Sequence, residues 1–365
     1  MILFRKKNGM MKKFLKILGI LGIVLTGFVV IAAGYVAYVF LDYHRIGDQI
    51  LTAAGEAEPG AAEAPYSVVS YNIGFGAYEA DYGFFMDGGT QSWAWSKDRL
   101  DANLRRIAAF LEEQDADFYL VQEVDIDSTR SYHFDERTYL APLEQGRAVT
   151  FAQNYDSPFL FYPILQPHGA SRSGLVTYSR CPVTFARRVA LPIEEGLTKL
   201  LDLDRCYSKN RVEVPGGELV LYNLHLSAYT SAGTIATVQL RQLLADMETE
   251  YQAGNWCVAG GDFNKDILGD SSVYFGASDI EYTWAQPIPE GTFDGYHVSL
   301  VAPLDEEKPV PSCRNADGPY HAGQYVLTVD GFLVSANVTV TEAAVLDTGF
   351  AFSDHNPVRM TFTLD

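Results

Sequence analysis

Gly261-Asp262-Phe263-Asn264 closes an apolar run, Trp256-Cys257-Val258-Ala259-Gly260, and Ser353-Asp354-His355-Asn356-Pro357 opens another that continues to residue 364. Read as strands, these runs place acids, amides and an imidazole at strand ends, where side chains leave a packed core and converge on a cleft. Two carboxylates and a histidine are costly to gather in a buried place unless a cation or a reaction uses them. The pattern points to metal-assisted hydrolysis.

The same arrangement recurs outward along the chain. Residues 67–71 read as a strand ending at Asn72, and residues 117–122 as a buried strand delivering Glu123. Further strands are expected at 173–179, at 218–226 with His225 near its end, at 325–335 with Asp330 inside it, and at 358–364. Residues 96–114 carry Leu100, Leu104, Ile107, Ala108 and Leu111 on one helical face, with Ser96 as N-cap. A second amphipathic helix is expected over 234–251 through Ile235, Val238, Leu243, Leu244 and Met247. Several strands are apolar almost throughout, so both faces of their sheets are covered. Two packed sheets with helices outside, an α/β sandwich, fits this mixture. Residues 74–95, rich in glycine and aromatics, have no steady period and read as a long loop forming a functional rim of the cleft.

Each polar site has a plain structural account. Asn72 and Asp262-Phe263-Asn264 fit turns, Glu123 a solvated strand end, and His225 a hydrogen-bonded core histidine. Asp330, inside Leu327-Thr328-Val329-Asp330-Gly331-Phe332-Leu333, is harder to explain that way. A carboxylate within an apolar strand needs a partner, and His355 is a natural one. Six such sites in succession make the plain accounts jointly improbable.

Ser-Tyr-Asn-Ile at 70–73, Val-Gln-Glu-Val at 121–124, Asn-Leu-His-Leu at 223–226, Gly-Asp-Phe-Asn at 261–264, Val-Asp-Gly-Phe at 329–332 and Ser-Asp-His-Asn-Pro-Val at 353–358 resemble, in order, the motifs of the endonuclease/exonuclease/phosphatase superfamily. The resemblance covers the chain from about residue 66 to the end. It implies a four-layered α/β sandwich with two central mixed sheets. It also implies that Glu123 holds Mg²⁺ (with Mn²⁺ as a substitute), with Asp354 contributing to the same or a second site. Asp262 would orient and deprotonate the attacking water, while Asn264 and Asn72 hold that water and the phosphate. His355, fixed by Asp330, would donate to the phosphoryl oxygen, and His225 would touch the phosphate or assist leaving-group protonation. The polar stretch after Glu123 is expected to line the cleft. Within it Arg130 and His133 are candidate phosphate contacts, a solvated loop being the competing account, and Arg172 is a further candidate.

The 365 residues carry a formal net charge of −19, unevenly divided. Residues 1–50 hold Arg5, Lys6, Lys7, Lys12, Lys13, Lys16 and Arg45 against Asp42 and Asp48, a net of +5, so the remainder carries −24. An acidic body disfavours nucleic acid as a partner, since grip on phosphates needs a basic face. Residues 17–41 are uncharged and apolar. As a helix they would extend about 37 Å, enough to cross a hydrocarbon layer of about 30 Å. Residues 1–16 form a basic tail, which sets the N-terminus in the cytoplasm and the body outside the cell membrane. A cleaved signal peptide is the competing reading. Residues 42–65 read as a flexible linker, and residues 66–365 as the catalytic domain. Cys181, Cys206, Cys257 and Cys313 show no zinc spacing.

The combined expectation is a single-pass, extracytoplasmic, Mg²⁺-dependent enzyme hydrolysing a phosphodiester by direct attack of water. The rivals are an anchored endonuclease, a lipid or inositol phosphate phosphatase, a sphingomyelinase-like phospholipase, and a catalytically idle binding module. The partners are a phosphodiester or phosphomonoester and the membrane; no obligate protein partner is inferred.

Overall fold

Strands apolar on both faces and helices apolar on one face divide this chain into layers. The computed structural model describes residues 2–194, 203–228, 234–276 and 284–365, with side chains from residue 11 onward. In chain order the strands are β1 (Gln49–Leu51), β2 (Tyr66–Asn72), β3 (Phe118–Asp125), β4 (Ala148–Asp156), β5 (Arg172–Ser179), β6 (Val183–Ala190), β7 (Cys206–Val214), β8 (Gly217–His225), β9 (Trp256–Asp262), β10 (Val298–Val301), β11 (Cys313–Arg314), β12 (Val326–Leu327), β13 (Asp330–Ser335), β14 (Val338–Val345) and β15 (Val358–Leu364). The helices are α1 (Ile2–Asp42), α2 (Lys97–Glu113), α3 (Arg137–Leu140), α4 (Thr234–Gln252) and α5 (Ser272–Phe275).

Two mixed sheets result. One runs β1-β6-β7-β8-β9-β13-β10 and the other β14-β15-β2-β3-β5-β4, with β11 and β12 forming a separate ribbon. Within the two sheets only the β2–β3 and β8–β9 pairs are parallel. Alternation along β2 shows how the layers arise. Val68 points between the sheets, with Leu120, Leu221, Val258, Phe332 and Met360. Val69 points the other way, onto Leu100, Leu104, Ile107 and Leu111 of α2. On the far side, Leu240, Leu243, Leu244 and Met247 of α4 cover Val220, Tyr222, Cys257 and Ala259. Each fully buried aliphatic side chain in these layers contributes about 1.5–3 kcal/mol. Ser96 caps α2 as expected, its hydroxyl accepting from the Arg99 amide at 3.2 Å.

A polar seam crosses the apolar space between the sheets. Gln122 on β3 donates to the Asn223 side-chain oxygen on β8 at 2.8 Å, and Asn223 donates to the Val121 and Val176 carbonyls at 3.2 and 3.0 Å. Thr150 donates to Asn210 at 2.7 Å, and the Thr177 and Ser208 hydroxyls meet at 3.2 Å. All these groups are buried, so sliding one sheet over the other would leave them unsatisfied.

Several expectations change. The helix expected over 17–41 begins at Ile2, so the basic tail is helical too. Residues 42–65 are not wholly a tether, because β1 pairs with β6 and Ala54 bridges to Val149. Fully buried Arg188 on β6 donates to the Ile46, Gly47, Gln153 and Asp204 carbonyls. The chain divides into units Met1–His44 and Arg45–Asp365. The strand expected at 325–335 is split between β12 and β13. The Ser312 hydroxyl takes the Val329 and Asp330 amides at 2.9 and 3.0 Å and donates to the Asp330 carboxylate at 2.7 Å. Residues 74–95 do form the expected rim, with Tyr78, Phe84, Met86 and Asp87 on the cleft, but as a packed segment. Phe75, Tyr78, Tyr82 and Phe84 are buried ring against ring, and Arg314 donates to the Tyr78, Glu79 and Tyr82 carbonyls. All four cysteines are free and buried.

Asn223→Ala removes two donors and an acceptor from the seam. Unfolding free energy is expected to fall by about 1–3 kcal/mol, read as a lower urea midpoint at an unchanged slope.

Candidate active site

Register brings the chemistry together. Across the seven-stranded sheet, Asp262 on β9 stands opposite His225 on β8 and Asp330 on β13. In the other sheet Asn72 ends β2 opposite Gln122. The pairing of β3 with β5 shifts between Val121 and Val124, and this bulge turns Glu123 out of the sheet. Glu123 has φ 55° and Asn264 has φ 48°, left-handed values that ordinary residues adopt at a cost.

Asn72 links the two sheets at this edge. Its amide nitrogen lies 3.1 Å from Asp262 Oδ2, 3.2 Å from Glu123 Oε1 and 3.5 Å from His355 Nε2. Its oxygen accepts from the Gly74 amide at 3.0 Å. Gly74 itself has φ 53°, and a Cβ there would lie 2.8 Å from the Tyr78 ring and 3.2 Å from Asp354 Oδ1. Glycine therefore lets the chain turn tightly beside Asp354.

Asp262 Oδ1 accepts from the Asn264 amide at 2.8 Å. Asp262 Oδ2 lies 3.4 Å from His225 Nε2 and 3.8 Å from His355 Nε2. His355 Nδ1 meets Asp330 Oδ2 at 2.8 Å, and Cys313 Sγ lies 3.7 Å from His355 Nε2. Asn264 donates one amide hydrogen to the Leu226 carbonyl at 2.8 Å.

Burial pushes the Asp262 carboxyl up to about 7; His355, the Asn264 amide and Asn72 oppose the rise. Burial alone would lower His355, but the Asp330 carboxylate, helped by Cys313, holds it well above the ordinary imidazole range. His225 goes the other way. Burial, and then the charges of Arg205, His355 and Arg130, keep it far below that range and neutral. Its Nδ1 is buried with no hydrogen-bond partner. Asp354 is raised by burial, with Glu123 adding repulsion.

These groups open on one cleft of about 310 Å³. Glu123, His225, Asp262, Asn264, Asp354 and His355 line it, with Asn72 and Asp330 behind them. Arg130 lines it too, but is clamped by Asp125 at 2.9 and 3.1 Å and lies over the Phe75 ring. His133 and Arg172 do not line it. His133 is exposed and paired with Asp127, and Arg172 pairs with Asp127 and Asp156. The polar stretch after Glu123 thus neutralises most of its charge internally.

Sequence reasoning missed Arg205, Arg314, Tyr155, His168 and Trp284, all of which line the cleft. They are single residues in loops or at element ends, and no local pattern marks them. Among the described residues, Asp262, Asp330 and His355 form a compact group whose ligating atoms lie within 4.8 Å of one another. A histidine that keeps its proton is a poor metal ligand, so this trio is better suited to hydrogen bonding. Glu123 and Asp354 are further hard oxygen donors lining the cleft, as are Asp87 and Glu194.

Two mixed sheets flanked by helices, with acids, amides and a raised histidine at one edge, define a metal-dependent phosphoesterase. The Endonuclease/Exonuclease/phosphatase family profile matches residues 69–355, and the chain belongs to that family. Its fold is similar to that of an endonuclease/exonuclease/phosphatase from Beutenbergia cavernae DSM 12333, at TM-score 0.54 and 20% identity, covering 82% of this chain and 71% of that one. It is also similar to a family protein from Leptotrichia buccalis C-1013-b, at TM-score 0.54 and 10% identity, covering 82% and 100%. A third similar structure is ANGEL2, a 2',3'-cyclic phosphatase, in complex with adenosine-2',3'-vanadate, at TM-score 0.54 and 16% identity, covering 82% and 95%. No curated protein matches the chain.

The raised Asp262 carboxyl has a consequence for stability. Its folded value of about 7 lies above the ordinary 3.8, so the folded chain holds this proton more tightly than the unfolded one. That advantage is complete below about pH 4 and is lost as pH rises towards about 7. In chelator, Asp262→Asn is therefore expected to raise Tm by several degrees at pH 8 and much less at pH 4, as calorimetry would show.

Proposed function

We propose that this chain hydrolyses a phosphodiester by direct attack of water, without a covalent enzyme intermediate. The observation that carries this reading is the convergence of Asp262, raised to about 7, with the Asp330–His355 pair in one cleft. A base poised near neutrality and a protonated imidazole beside it suit proton removal from water and donation to a phosphoryl oxygen.

Asp262 takes the proton of the attacking water while Asn72 and Asn264 fix its direction with neutral amides. The water oxygen bonds to phosphorus, one P–O ester bond breaks, and the departing alkoxide takes up a proton. Asp330 keeps His355 charged and oriented toward the phosphate. His225, neutral and with an unpartnered Nδ1, faces the phosphate or its leaving group.

Glu123 and Asp354 fit a hard divalent cation. Both line the cleft, neither makes an ion pair among the described residues, and each repels the other's charge. When bound there, Mg²⁺ supplies Lewis-acid neutralisation of the phosphate charge, with Mn²⁺ as a substitute. We take Arg130 as a source of positive potential in the cleft. His133 and Arg172 we now place outside the substrate path, as solvated loop charges.

Helix α1 includes, within Met11–Asp42, an 18-residue window of mean hydropathy 2.6. In this reading it anchors the chain in the cell membrane, with the basic end cytoplasmic and the catalytic unit outside. The acidic body argues against a nuclease.

Asp262→Asn is expected to lower kcat on bis-p-nitrophenyl phosphate by about 10²–10⁴-fold while the fold is kept; unchanged turnover would refute its role as base. EDTA is expected to abolish activity and Mg²⁺ to restore it. Glu123→Gln should raise the Mg²⁺ concentration for half-activity roughly tenfold or more, as a metal titration of the rate would reveal.

A further inference from the structure

Residues 157–171 contain no Asp, Glu, Lys or Arg. Within them, 160–169 form a closed finger. Leu160 and Gly169 exchange two backbone hydrogen bonds of 3.0 Å, and further in the His168 amide donates to the Tyr162 carbonyl at 3.2 Å. The Gln166 amide closes the tip on the Pro163 carbonyl at 3.2 Å. The finger is braced from the side by Ser92 and Trp93, which donate to the Gln166 and Pro167 carbonyls at 2.6 Å each.

This braced element holds its largest apolar side chains in water. Leu165 is 100% exposed, Ile164 73%, Tyr162 67% and Phe161 55%. A patch of this kind marks a docking surface. The patch continues to the cleft. The Tyr162 ring meets the Phe85 ring at 5.8 Å, and neighbouring Met86, itself 53% exposed, lines the cleft with Phe84 and with His168 at the finger's base.

The covering surface must be apolar just below a neutral, polar boundary. The finger has no cation to pair with phosphate, and the body's −24 repels an anionic surface. Tip aliphatics with flanking aromatics match the interface of a zwitterionic bilayer. The apolar stretch Met11–Asp42 of the same chain makes a bilayer the apolar phase at hand.

We propose that the finger 160–169 inserts into a zwitterionic lipid surface and thereby presents a lipid headgroup phosphodiester to the cleft. The headgroup part rests on the phosphodiesterase reading above; the docking part does not. The experiment uses the full chain reconstituted in phosphatidylcholine vesicles. Because the native cysteines are buried, Leu165→Cys can be labelled selectively with an environment-sensitive dye, and Glu306→Cys in an exposed polar loop serves as reference. Quenching by lipids brominated on their chains is expected at position 165 and not at 306. Ile164→Asp with Leu165→Asp is expected to reduce hydrolysis of vesicle lipid roughly tenfold or more and to leave bis-p-nitrophenyl phosphate turnover unchanged. A tip label that stays in water would overturn the proposal. So would shielding that depends on protein concentration and not on lipid, which would mean contact between copies. If the native chain hydrolyses neither substrate, the phosphodiesterase reading fails and the headgroup part falls with it, while the quenching still decides the docking.

Discussion

The hydrogen bonds that Asn223 makes with the Gln122 side chain and the Val121 and Val176 carbonyls fix how one sheet lies on the other. Apolar faces alone would tolerate some slip, because the hydrophobic effect has no direction. A buried amide pair does not tolerate it, since each lost bond leaves a group without water or partner. Everything at the catalytic edge inherits this alignment. Gln122 immediately precedes Glu123, Asn223 lies two residues before His225, and Asn72 stands opposite Gln122. A displacement of one residue at the seam would separate the ends of β2, β3, β8 and β9 and scatter their polar groups.

The edge itself is an electrostatic compromise. Asp262, Asp330, Glu123 and Asp354 are crowded together, and the fold compensates only in part. His355 takes charge from Asp330, and Asn72 offers its amide to both Asp262 and Glu123. The remaining cost appears as a raised Asp262 and a raised Asp354. Two left-handed residues, Glu123 and Asn264, sit at the same place. Strain and unfavourable protonation concentrated at one strand edge are what a site preorganised for an anion and a cation requires.

The residues that meet in the cleft were legible in the sequence because strand ends carry them. Asp262, His225 and Asn72 each follow an apolar run, and periodicity alone places them at an edge. Asp330 was recognised as needing a partner, and His355 is that partner, although the strand around it is broken by Ser312. The loops were less readable. Aromatic density in 74–95 suggested a rim of the cleft, and Tyr78, Phe84 and Met86 do line it; the packing of most of these rings on one another and on α2 was not readable. The exposed apolar surface on 160–169 was not anticipated, since Pro163 and Pro167 interrupt any steady period there. Arg130 and Arg172 looked alike as isolated cations. The fold separates one facing the cleft from one facing solvent: Asp125 clamps Arg130 locally, while Asp127 and Asp156 reach Arg172 from elsewhere in the chain.

Arg188 carries a lesson about where the catalytic unit begins. Its guanidinium has no solvent access and spends two of its contacts on the Ile46 and Gly47 carbonyls, well upstream of the first motif. Trimming the polypeptide at residue 66, where the recognisable sequence starts, would strand a cation in the interior and bare the edge of β6. The twenty-odd residues ahead of β2 therefore belong to the scaffold of the unit that begins at Arg45.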